Sequence, residues 1–312
     1  MNIIVTGCAG FIGSHTTDLL LEEGHKVVGI DCFTYAGNPS NVIAHKNNPN
    51  FKLYNENICN TSTILELCVL REIDWIINFA AETHVDNSIK SSSMFIKTNI
   101  EGTKSLLEVC RQSGTKLLHV STDEVYGSIT KGSFNEESML DPRNPYSATK
   151  AGADHMIKAY HNTYGIDYII VRPSNNYGPR QHSEKFLPTI LNSIRDNKKI
   201  PVYGDGSNVR EWLFVKDTAR AIHHIINAGS INETYNISSN TEMKNTEVIK
   251  AVCDSLNRDQ SDLVEFVEDR PGHDFRYSVS NQKILDIGFK DFTSFSEGLD
   301  NTLKHYLKEE KK

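Results

Sequence analysis

Two adjacent carboxylates, Asp123 and Glu124, follow a strand-like apolar run that ends at Val120. Neighbouring carboxyl groups that differ in protonation state can supply the acid and the base of one reaction. Adjacent acids are more often part of a solvated loop. Here, however, they come at the carboxyl end of an expected strand, where a doubly wound sheet binds its ligands. We therefore interpret segment 121–127 as a candidate site for acid and base catalysis.

Tyr146 and Lys150 occupy positions i and i+4 of a segment that Pro145 opens, which places both side chains on one face of a helix. Tyrosine, with a usual pKa near 10, is a poor base at neutral pH. A neighbouring ammonium group and a nicotinamide cation would stabilise the phenolate and lower that pKa. The pair occurs by chance in many helices, so its value as a candidate base depends on the surrounding motifs.

Three glycines, Gly7, Gly10 and Gly13, lie between the first expected strand and the first expected helix. Glycine there permits a tight turn, a close approach of pyrophosphate to the backbone and close packing of helix on sheet. Asp31 closes the second strand, where a carboxylate can accept both ribose hydroxyls of NAD. No Arg or Lys follows at positions 32–34, so the pattern favours NAD over NADP. The alternative is that Asp31 merely caps the strand end.

The composition is that of a soluble globular protein: 312 residues, 38% hydrophobic, 23% charged, with a net charge of −7. Such a balance gives no general attraction to nucleic acid or acidic membranes. Six cysteines without Cys-x-x-Cys spacing are typical of reduced, packed thiols, and we expect no metal site. Met1 leads directly into an apolar strand, and no run approaches a membrane span. We expect a cytoplasmic protein.

The first half of the chain alternates strand-like runs with amphipathic helical segments, which predicts a parallel sheet covered on both faces. After Pro173 the alternation stops, and clusters of Asn, Gly and Pro indicate binding loops. The predicted fold class is α/β, a Rossmann-type doubly wound sheet with a smaller, partly interleaved C-terminal substrate lobe. We assign residues 1–173 to the NAD-binding domain, with a return segment near 209–237. Residues 174–208 and 238–312 form the substrate lobe.

Segments along almost the whole chain resemble the extended short-chain dehydrogenase/reductase superfamily. Within it, the chain is similar to the nucleotide-sugar 4,6-dehydratases, nearest to those that act on dTDP-glucose. The matching segments are TGCAGFIGS (6–14), DCFTYAGN (31–38), FAAETHVDNSI (79–89), STDEVYG (121–127), NPYSATKAGAD (144–154), SNNYGPRQHSEKFLP (174–188), YGDGSNVREW (203–212) and DRPGHDFRY (269–277). The related 4-epimerases lack both carboxylates of the acid pair, and UDP-glucuronate decarboxylases typically keep the second, whereas this chain has both.

The resemblance implies a role for each catalytic residue. Tyr146, supported by Lys150, takes the proton of the sugar 4-hydroxyl while hydride leaves C4 for NAD, and Thr122 hydrogen-bonds that hydroxyl. The 4-keto group makes the C5 proton acidic, and Glu124 removes it. Protonated Asp123 donates to the departing 6-hydroxyl, and hydride then returns to C6. The implied product is a 4-keto-6-deoxy sugar.

The resemblance also implies the binding residues. Those for the cofactor are Gly7, Gly10, Phe11, Ile12, Gly13, Asp31, Thr34, Asn57, Ile58, Ala80, Ala81, Thr98, Tyr146, Lys150 and Asn176. Those for the nucleotide sugar are Thr83, His84, Asn175, Lys185, Phe186, Tyr203, Arg210, Asn245, Arg270 and His273. Arg210 is expected to bind the pyrophosphate, because its planar guanidinium can donate paired hydrogen bonds to phosphate.

The chain departs from the family pattern at five positions. Glu56 and Asn57 replace the Gly and Asp of the usual Gly-Asp-Ile; the Asn57 amide oxygen can still accept from the adenine amino group. Asn87 replaces an Arg, and Arg180 and His182 replace Tyr and Phe beside the expected nucleotide pocket. These last two leave open whether the base is thymine or uracil. The alternatives are therefore a UDP-hexose 4,6-dehydratase or a 4-epimerase, and the acid pair argues against the epimerase. A non-catalytic NAD-binding regulator would usually lose part of the catalytic set, which is complete here.

The resemblance further implies a homodimer in which residues 94–113 and 147–164 pair with their copies as a four-helix bundle. Met156 and Ile157 are expected to be exposed apolar residues that require such a partner.

Overall fold

The computed structural model describes residues 1–269 and 274–309. The strands are β1 (Asn2–Thr6), β2 (Lys26–Asp31), β3 (Phe51–Asn55), β4 (Trp75–Asn78), β5 (Lys116–Val120), β6 (Tyr168–Pro173), β7 (Asn175–Tyr177), β8 (Ile200–Tyr203), β9 (Val209–Phe214), β10 (Glu233–Ile237), β11 (Glu242–Lys244) and β12 (Val264–Val267). The helices are α1 (Phe11–Glu22), α2 (Thr61–Leu70), α3 (Val85–Lys90), α4 (Ser93–Phe95), α5 (Thr103–Ser113), α6 (Pro145–Tyr164), α7 (Phe186–Arg195), α8 (Val215–Ala228), α9 (Asn245–Ser255), α10 (Gln282–Asp286) and α11 (Phe295–Glu309).

Seven parallel strands form the large sheet, in the order β10-β6-β5-β4-β1-β2-β3. Successive side chains of a strand point to opposite faces, so each strand contributes to two cores. Ile3 and Val5 of β1 belong to the core that includes Leu20 of α1 and Ile222 of α8. Ile4 belongs to the opposite core, with residues of α2, α5 and α6. The predicted Rossmann-type doubly wound sheet is confirmed.

The smaller lobe contains a three-stranded sheet, β11-β9-β7, and the parallel pair β12-β8. Its core packs Trp212 and Phe214 of β9 against residues of α7, α9 and α11. The predicted return segment 209–237 therefore divides between the two lobes. Its β9 belongs to the small sheet, whereas α8 packs on α1 and β10 pairs with β6 in the large one. The boundary at 173/174 stays a prediction.

The helix expected over residues 94–113 is interrupted by a π-helical segment, Ile96–Gly102, between α4 and α5. Within it, the Asn99 side chain accepts from the Glu82 amide N–H at 2.9 Å and donates to Thr149 Oγ1 on α6 at 2.9 Å. Such wide turns are frequent at functional sites. Hydrophobic periodicity cannot reveal one, because it shifts the register by a single residue.

Helix α6 begins at Pro145 with a capping box between Asn144 and Ser147, and Gly165 ends it in the left-handed conformation. The expectation that Ile157 is exposed is wrong: its side chain is fully buried against the sheet, and Met156 packs partly against the same core. On a helix that covers a sheet, apolar residues that are expected from the sequence to be exposed can instead face the sheet. The exposed apolar residues nearby are instead Met94, Ile96 and Tyr164.

Candidate active site

A cavity of about 1060 Å³ lies at the carboxyl ends of β1, β4, β5 and β6. It is lined on that side by residues that directly follow the strands, including Gly7, Phe79 and Ser121. Arg210 and Trp212 of β9 line it from the small lobe. Since parallel strands present their carboxyl ends at one edge of a sheet, motifs far apart in sequence meet here.

The glycine loop shapes one end of this cavity. Gly7 has φ of +64°, and a Cβ there would lie 2.8 Å from the Ala80 nitrogen. A Cβ on Gly13 would collide with the Gly7 carbonyl oxygen. Gly10 caps α1 without a side-chain hydrogen bond, so the first amides of the helix lie at the cavity without a capping side chain. This cradle fits a dinucleotide pyrophosphate, because a helix N-terminus favours anions.

Asp31 braces the glycine loop instead of lining the cavity. Its carboxylate accepts from the Ala9 amide N–H at 2.9 Å and from the Phe33 amide N–H at 2.8 Å, and the residue is 7% exposed. Burial raises the pKa of this carboxyl group, while the two amide hydrogen bonds oppose that rise. Its position at the end of β2 suits the expected contact with ribose hydroxyls.

The acid pair lies on a single 3₁₀ turn, Asp123–Tyr126, that begins where β5 has ended. Thr122 caps the turn: its hydroxyl accepts from the Glu124 amide N–H at 3.3 Å and donates to Asp123 Oδ1 at 3.2 Å. Thr122, Asp123 and Glu124 all line the cavity. A tight turn immediately after a strand is therefore what places the three side chains together.

Asp123 is 2% exposed, and its Oδ2 has no hydrogen-bond partner within the described ranges 1–269 and 274–309. Burial holds the pKa of its carboxyl group well above the usual value, and the charges of Glu124 and Glu211 raise it further. The raised pKa favours the neutral carboxylic acid, the form that can donate a proton. Glu124 is joined to the base of α6, because Asn144 Nδ2 donates to its Oε2 at 3.3 Å.

Tyr146 lies in the first turn of α6, with its amide N–H donating to Ser88 Oγ at 3.2 Å and its ring edge-on to Phe95. Burial raises the pKa of the phenol far above its usual value, and the charge of Glu124 adds to this, while the nearby Thr122 hydroxyl opposes it. The phenolate therefore needs positive charge beside it before Tyr146 can act as a base.

Lys150 lies one helical turn further along α6 and lines the same cavity. Its Nζ donates to the Val120 carbonyl oxygen at 2.7 Å and lies 3.3 Å from Nε2 of His119. Burial lowers the pKa of the ammonium to about 8, and the charge of Asp154 opposes the decrease. The catalytic residues predicted from the sequence, Thr122, Asp123, Glu124, Tyr146 and Lys150, all line this one cavity.

Arg210 is held rigidly on the substrate side. Its guanidinium donates to the carbonyl oxygens of Val209, Asp274 and Phe275 at 2.8–3.2 Å, and it stacks over the Tyr277 ring at 4.4 Å. Lys185 Nζ donates to the Thr83 carbonyl oxygen at 3.2 Å. The predicted substrate residues that line the cavity are Thr83, His84, Asn175, Lys185, Phe186, Tyr203, Arg210 and Asn245. Arg270 and His273 lie outside the described residues.

The predicted cofactor residues divide into two groups. Those that line the cavity are Gly7, Gly10, Phe11, Ile12, Gly13, Ala81, Tyr146, Lys150 and Asn176. Those that do not line it are Asp31, Thr34, Asn57, Ile58, Ala80 and Thr98. The Asn57 amide oxygen, expected to face adenine, accepts from the Cys59 amide N–H at 2.9 Å. It keeps a second lone pair for another donor.

The two departures expected beside the nucleotide pocket do line the cavity. Arg180 Nη1 pairs with Asp18 of α1 at 2.8 Å, and the His182 ring packs edge-on against Tyr35. Arg180 therefore already has a carboxylate partner, which reduces its attraction for a ligand anion. Asn87 is exposed and donates its amide N–H to His84 Nδ1 at 3.3 Å.

Sequence reasoning missed Glu211 and Tyr277. Glu211 is 1% exposed and accepts from Ser238 Oγ at 2.7 Å; burial raises its pKa to about 7. Tyr277 lies under Arg210 and donates its hydroxyl to Asp274 at 2.5 Å. Both residues stand inside segments that carry the family resemblance, which is the signal that could have drawn attention to them.

Among the described residues, no cluster of three or more His, Cys, Asp or Glu side chains could hold a metal ion. Within the same residues, every helix is too short or too polar to cross a bilayer.

Substitution of Asp31 tests its role in cofactor binding. Asp31→Ala should weaken NAD binding by about 1.5–3 kcal/mol, because two ribose hydroxyls lose a charged acceptor. It should also narrow the preference for NAD over NADP, since a 2′-phosphate would no longer meet a carboxylate. Calorimetry on cofactor-stripped protein measures both affinities. Asp31→Asn is the comparison variant: it removes the charge, and its single amide oxygen can accept from one of the two loop amides, so it should weaken NAD binding less than Asp31→Ala. Equal binding of NAD and NADP by the parent protein would overturn the role of Asp31.

Comparisons with known proteins agree with this geometry. The family model described as GDP-mannose 4,6 dehydratase matches residues 4–302. The dTDP-glucose 4,6-dehydratase of Haemophilus influenzae is 39% identical, over 98% of both chains. A trifunctional UDP-glucose 4,6-dehydratase/UDP-4-keto-6-deoxy-D-glucose 3,5-epimerase/UDP-4-keto-L-rhamnose-reductase of Arabidopsis thaliana is 39% identical over 98% of this chain and 47% of its own.

Among solved structures, a dTDP-glucose 4,6-dehydratase from Streptomyces venezuelae with NAD bound superposes with a TM-score of 0.95. It is 42% identical, and the match covers 99% of this chain and 97% of the other. The likeness therefore extends over both lobes and includes the elements that carry the acid pair, Tyr146 and Lys150. The chain belongs to the GDP-mannose 4,6 dehydratase family.

Proposed function

We propose that this protein is a hydro-lyase that converts a nucleoside-diphosphate glucose, dTDP-glucose above all, to the 4-keto-6-deoxy sugar. The observation that carries the proposal is the acid pair. Asp123, held neutral, and Glu124 lie side by side on one turn, in the same cavity as Tyr146 and Lys150. An epimerase needs no such pair, because it neither removes a C5 proton nor expels water.

Gly7, Gly10 and Gly13 would hold NAD, which would supply a hydride acceptor for C4 of the sugar and a hydride donor for C6. Tyr146 takes the proton of the 4-hydroxyl, and the Lys150 ammonium stabilises the phenolate that does so. Thr122, whose hydroxyl lies between the acid pair and Tyr146, hydrogen-bonds the same sugar oxygen. These residues supply general-base catalysis for the oxidation of the alcohol.

Elimination of water follows from the acid pair. The 4-keto group acidifies the C5–H bond, and Glu124 takes this proton as the C5–C6 double bond forms. Asp123 gives its proton to the 6-hydroxyl, so the C6–O bond breaks and water leaves. Glu124 then returns its proton to C5 as hydride reaches C6. A neutral and a charged carboxyl group are both needed, which matches the raised pKa of Asp123.

Arg210 and Lys185, which line the substrate side of the cavity, are the proposed diphosphate ligands. UDP-glucose is the second candidate substrate. It is supported by His182 and Arg180, which line the cavity where the resemblance expects Phe and Tyr.

Incubation with dTDP-glucose and, separately, with UDP-glucose tests the proposal. A 4-keto sugar is detected by the absorbance it develops in alkali. We expect product from dTDP-glucose at the higher kcat/KM, and His182→Phe should increase that preference if His182 contacts the base. No keto sugar from either nucleotide would refute the proposed function.

We propose a homodimer in which the helices of residues 93–113 and α6 pair with their copies. The support is a group of exposed apolar residues on these helices: Met94 is 52% exposed, Ile96 44% and Tyr164 54%. We also propose a cytoplasmic location, supported by six cysteines that are all free thiols.

The dimer leads to a prediction. Sedimentation at micromolar concentration should give twice the mass of the chain. Replacing Met94 and Ile96 together by Glu should yield monomers, because charged side chains would be buried in the interface. Val69→Glu on α2 is the control, since Val69 is 64% exposed and lies outside the proposed bundle. A parent protein that sediments as a monomer would rule out the bundle.

A further inference from the structure

A network of buried polar side chains, formed by His119, Asn78 and Thr6, runs from Lys150 through the large sheet. His119 of β5 lies 3.3 Å from Lys150 Nζ, and its other ring nitrogen lies 3.1 Å from the Asn78 side-chain amide of β4. Thr6 Oγ1 of β1 donates to Asn78 Oδ1 at 2.6 Å, so the Asn78 side-chain nitrogen is the atom that faces His119 Nδ1. Thr6, Asn78 and His119 are each at most 1% exposed, and none of the three lines the cavity. None of the three takes part in the proposed proton transfers.

His119 is neutral at working pH. It is fully enclosed, with the Lys150 ammonium beside it and the Arg172 guanidinium nearby, so burial and these two cations hold the pKa of its imidazole well below the usual value. A neutral imidazole has one N–H donor and one acceptor nitrogen. Which nitrogen carries the proton is therefore determined by the neighbours on either side.

The neighbours of His119 determine which group donates and which accepts in each hydrogen bond of this network. An ammonium can only donate, so with Lys150 charged, Nε2 of His119 must accept and Nδ1 must carry the proton. In that state the Asn78 amide turns by half a turn from its orientation in the structure, so that its oxygen accepts from Nδ1–H and its nitrogen donates to Thr6. If Lys150 loses its charge, Asn78 keeps the orientation in the structure, with its nitrogen donating to Nδ1 and Nε2–H donating to the Lys150 amine. The same heavy-atom distances satisfy both states, and the Thr6 hydroxyl also accepts the Ala80 amide N–H, beside Gly7.

We propose that His119 is a positioning residue of the proposed reaction: its Nε2 accepts a hydrogen bond from the Lys150 ammonium, and Asn78, by turning its side-chain amide, accepts from the protonated Nδ1. This inference rests on the proposed function, in which Tyr146 is the base that Lys150 supports. The arrangement gives the ammonium two acceptors, His119 and the Val120 carbonyl oxygen, and so fixes its place on the helix turn after Tyr146.

Other charged groups near this network do not replace His119 as the direct partner of Lys150. Asp154, one turn beyond Lys150 on α6, favours the ammonium, but its carboxylate is paired with Arg172 of β6 at 2.9 Å. Arg172 also donates to the Tyr126 hydroxyl at 2.6 Å. Asp154 acts on Lys150 through its charge, whereas His119 acts by direct contact.

The test is the pH profile of the first hydride transfer, measured as reduced cofactor in a single turnover at saturating nucleotide sugar. His119→Leu removes the acceptor, and loss of a hydrogen bond to a charged group should move the alkaline limb down by about one to two pH units. At pH 8 the rate should fall at least roughly tenfold. His119→Gln can place its amide oxygen near the lost Nε2, so it should restore most of the profile.

His224→Gln is the matched control. His224 lies on α8, away from Lys150. Its Nε2 also forms a hydrogen bond, to the Ile287 carbonyl oxygen at 2.8 Å, and its ring packs against Phe289. Its profile should coincide with that of the parent, even if its melting temperature falls. A His119→Leu profile that also coincides with the parent would overturn the proposal, as would a His119→Gln variant no better than His119→Leu.

A second readout does not depend on turnover. Nitrogen-15 NMR of histidine-labelled protein distinguishes the two tautomers of His119, whose signal is the one missing from His119→Gln. We expect Nδ1 to be protonated below the pKa of Lys150, and both ring shifts to change as Lys150 titrates. An Nε2–H tautomer at pH 7 would refute the proposal. If the parent turns over neither nucleotide sugar, the proposed function fails, and the NMR result still decides the role of His119.

Discussion

Glu124→Gln should stop net dehydration while leaving the fold and cofactor binding intact. The amide is nearly isosteric and can still accept the hydrogen bond from Asn144, but it cannot take the C5 proton. A positioned acid or base typically contributes about 10²–10⁴-fold, and a loss in this range is expected. Oxidation at C4 should persist, so the absorbance of reduced nicotinamide should appear when substrate is added and should not decay. Rapid mixing with absorbance detection measures both steps.

Glu184→Gln is the control for this variant, because Glu184 lines the same cavity beside His84 but is not part of the acid pair. It should keep dehydration within a few-fold of the parent. If Glu124→Gln also turned over within a few-fold of the parent, the base assignment would be wrong.

Tyr146→Phe should abolish the first step itself. Without the phenolate oxygen, nothing at this position can take the proton of the 4-hydroxyl, so no reduced cofactor should form even in a single turnover. The expected loss is again about 10²–10⁴-fold. The two variants thus differ in kind: Glu124→Gln accumulates an oxidised sugar, whereas Tyr146→Phe does not oxidise it.

Tyr160→Phe tests whether loss of a hydroxyl from α6 is harmful by itself. The Tyr160 hydroxyl donates to Glu108 of α5 at 2.7 Å, away from the cavity. We expect nearly full activity. A loss of less than tenfold in Tyr146→Phe would assign Tyr146 a structural role.

Much of the large domain could be predicted because its signals are local. Alternating apolar runs predict a parallel sheet, and the capping residues Asn144, Pro145 and Gly165 place the ends of α6 within a residue or two. The π-helical segment and the buried side of Ile157 could not be read from periodicity, since tertiary packing decides both. The position of β9 in the small sheet depends on pairing with β7 and β11, which the local sequence does not specify.

The site shows the same division. Motifs predicted that Asp123, Glu124, Tyr146 and Lys150 meet at the sheet edge, because strand ends and helix spacing are sequence properties. Contacts between distant segments were missed, such as Arg210 on Tyr277. The bracing role of Asp31 was also missed: its carboxylate accepts hydrogen bonds from the backbone amides of Ala9 and Phe33. Which backbone groups a buried carboxylate reaches depends on the folded loop.

The central claim is that one cavity oxidises C4, expels water across C5 and C6, and returns the same hydride to C6. Conversion of dTDP-glucose deuterated at C4, in ordinary water, tests it most directly. The account predicts that deuterium leaves C4 and appears at C6 of the 4-keto-6-deoxy product, while C5 carries ordinary hydrogen. Deuterium that remains at C4, or that is absent from C6 of a dehydrated product, would contradict the account.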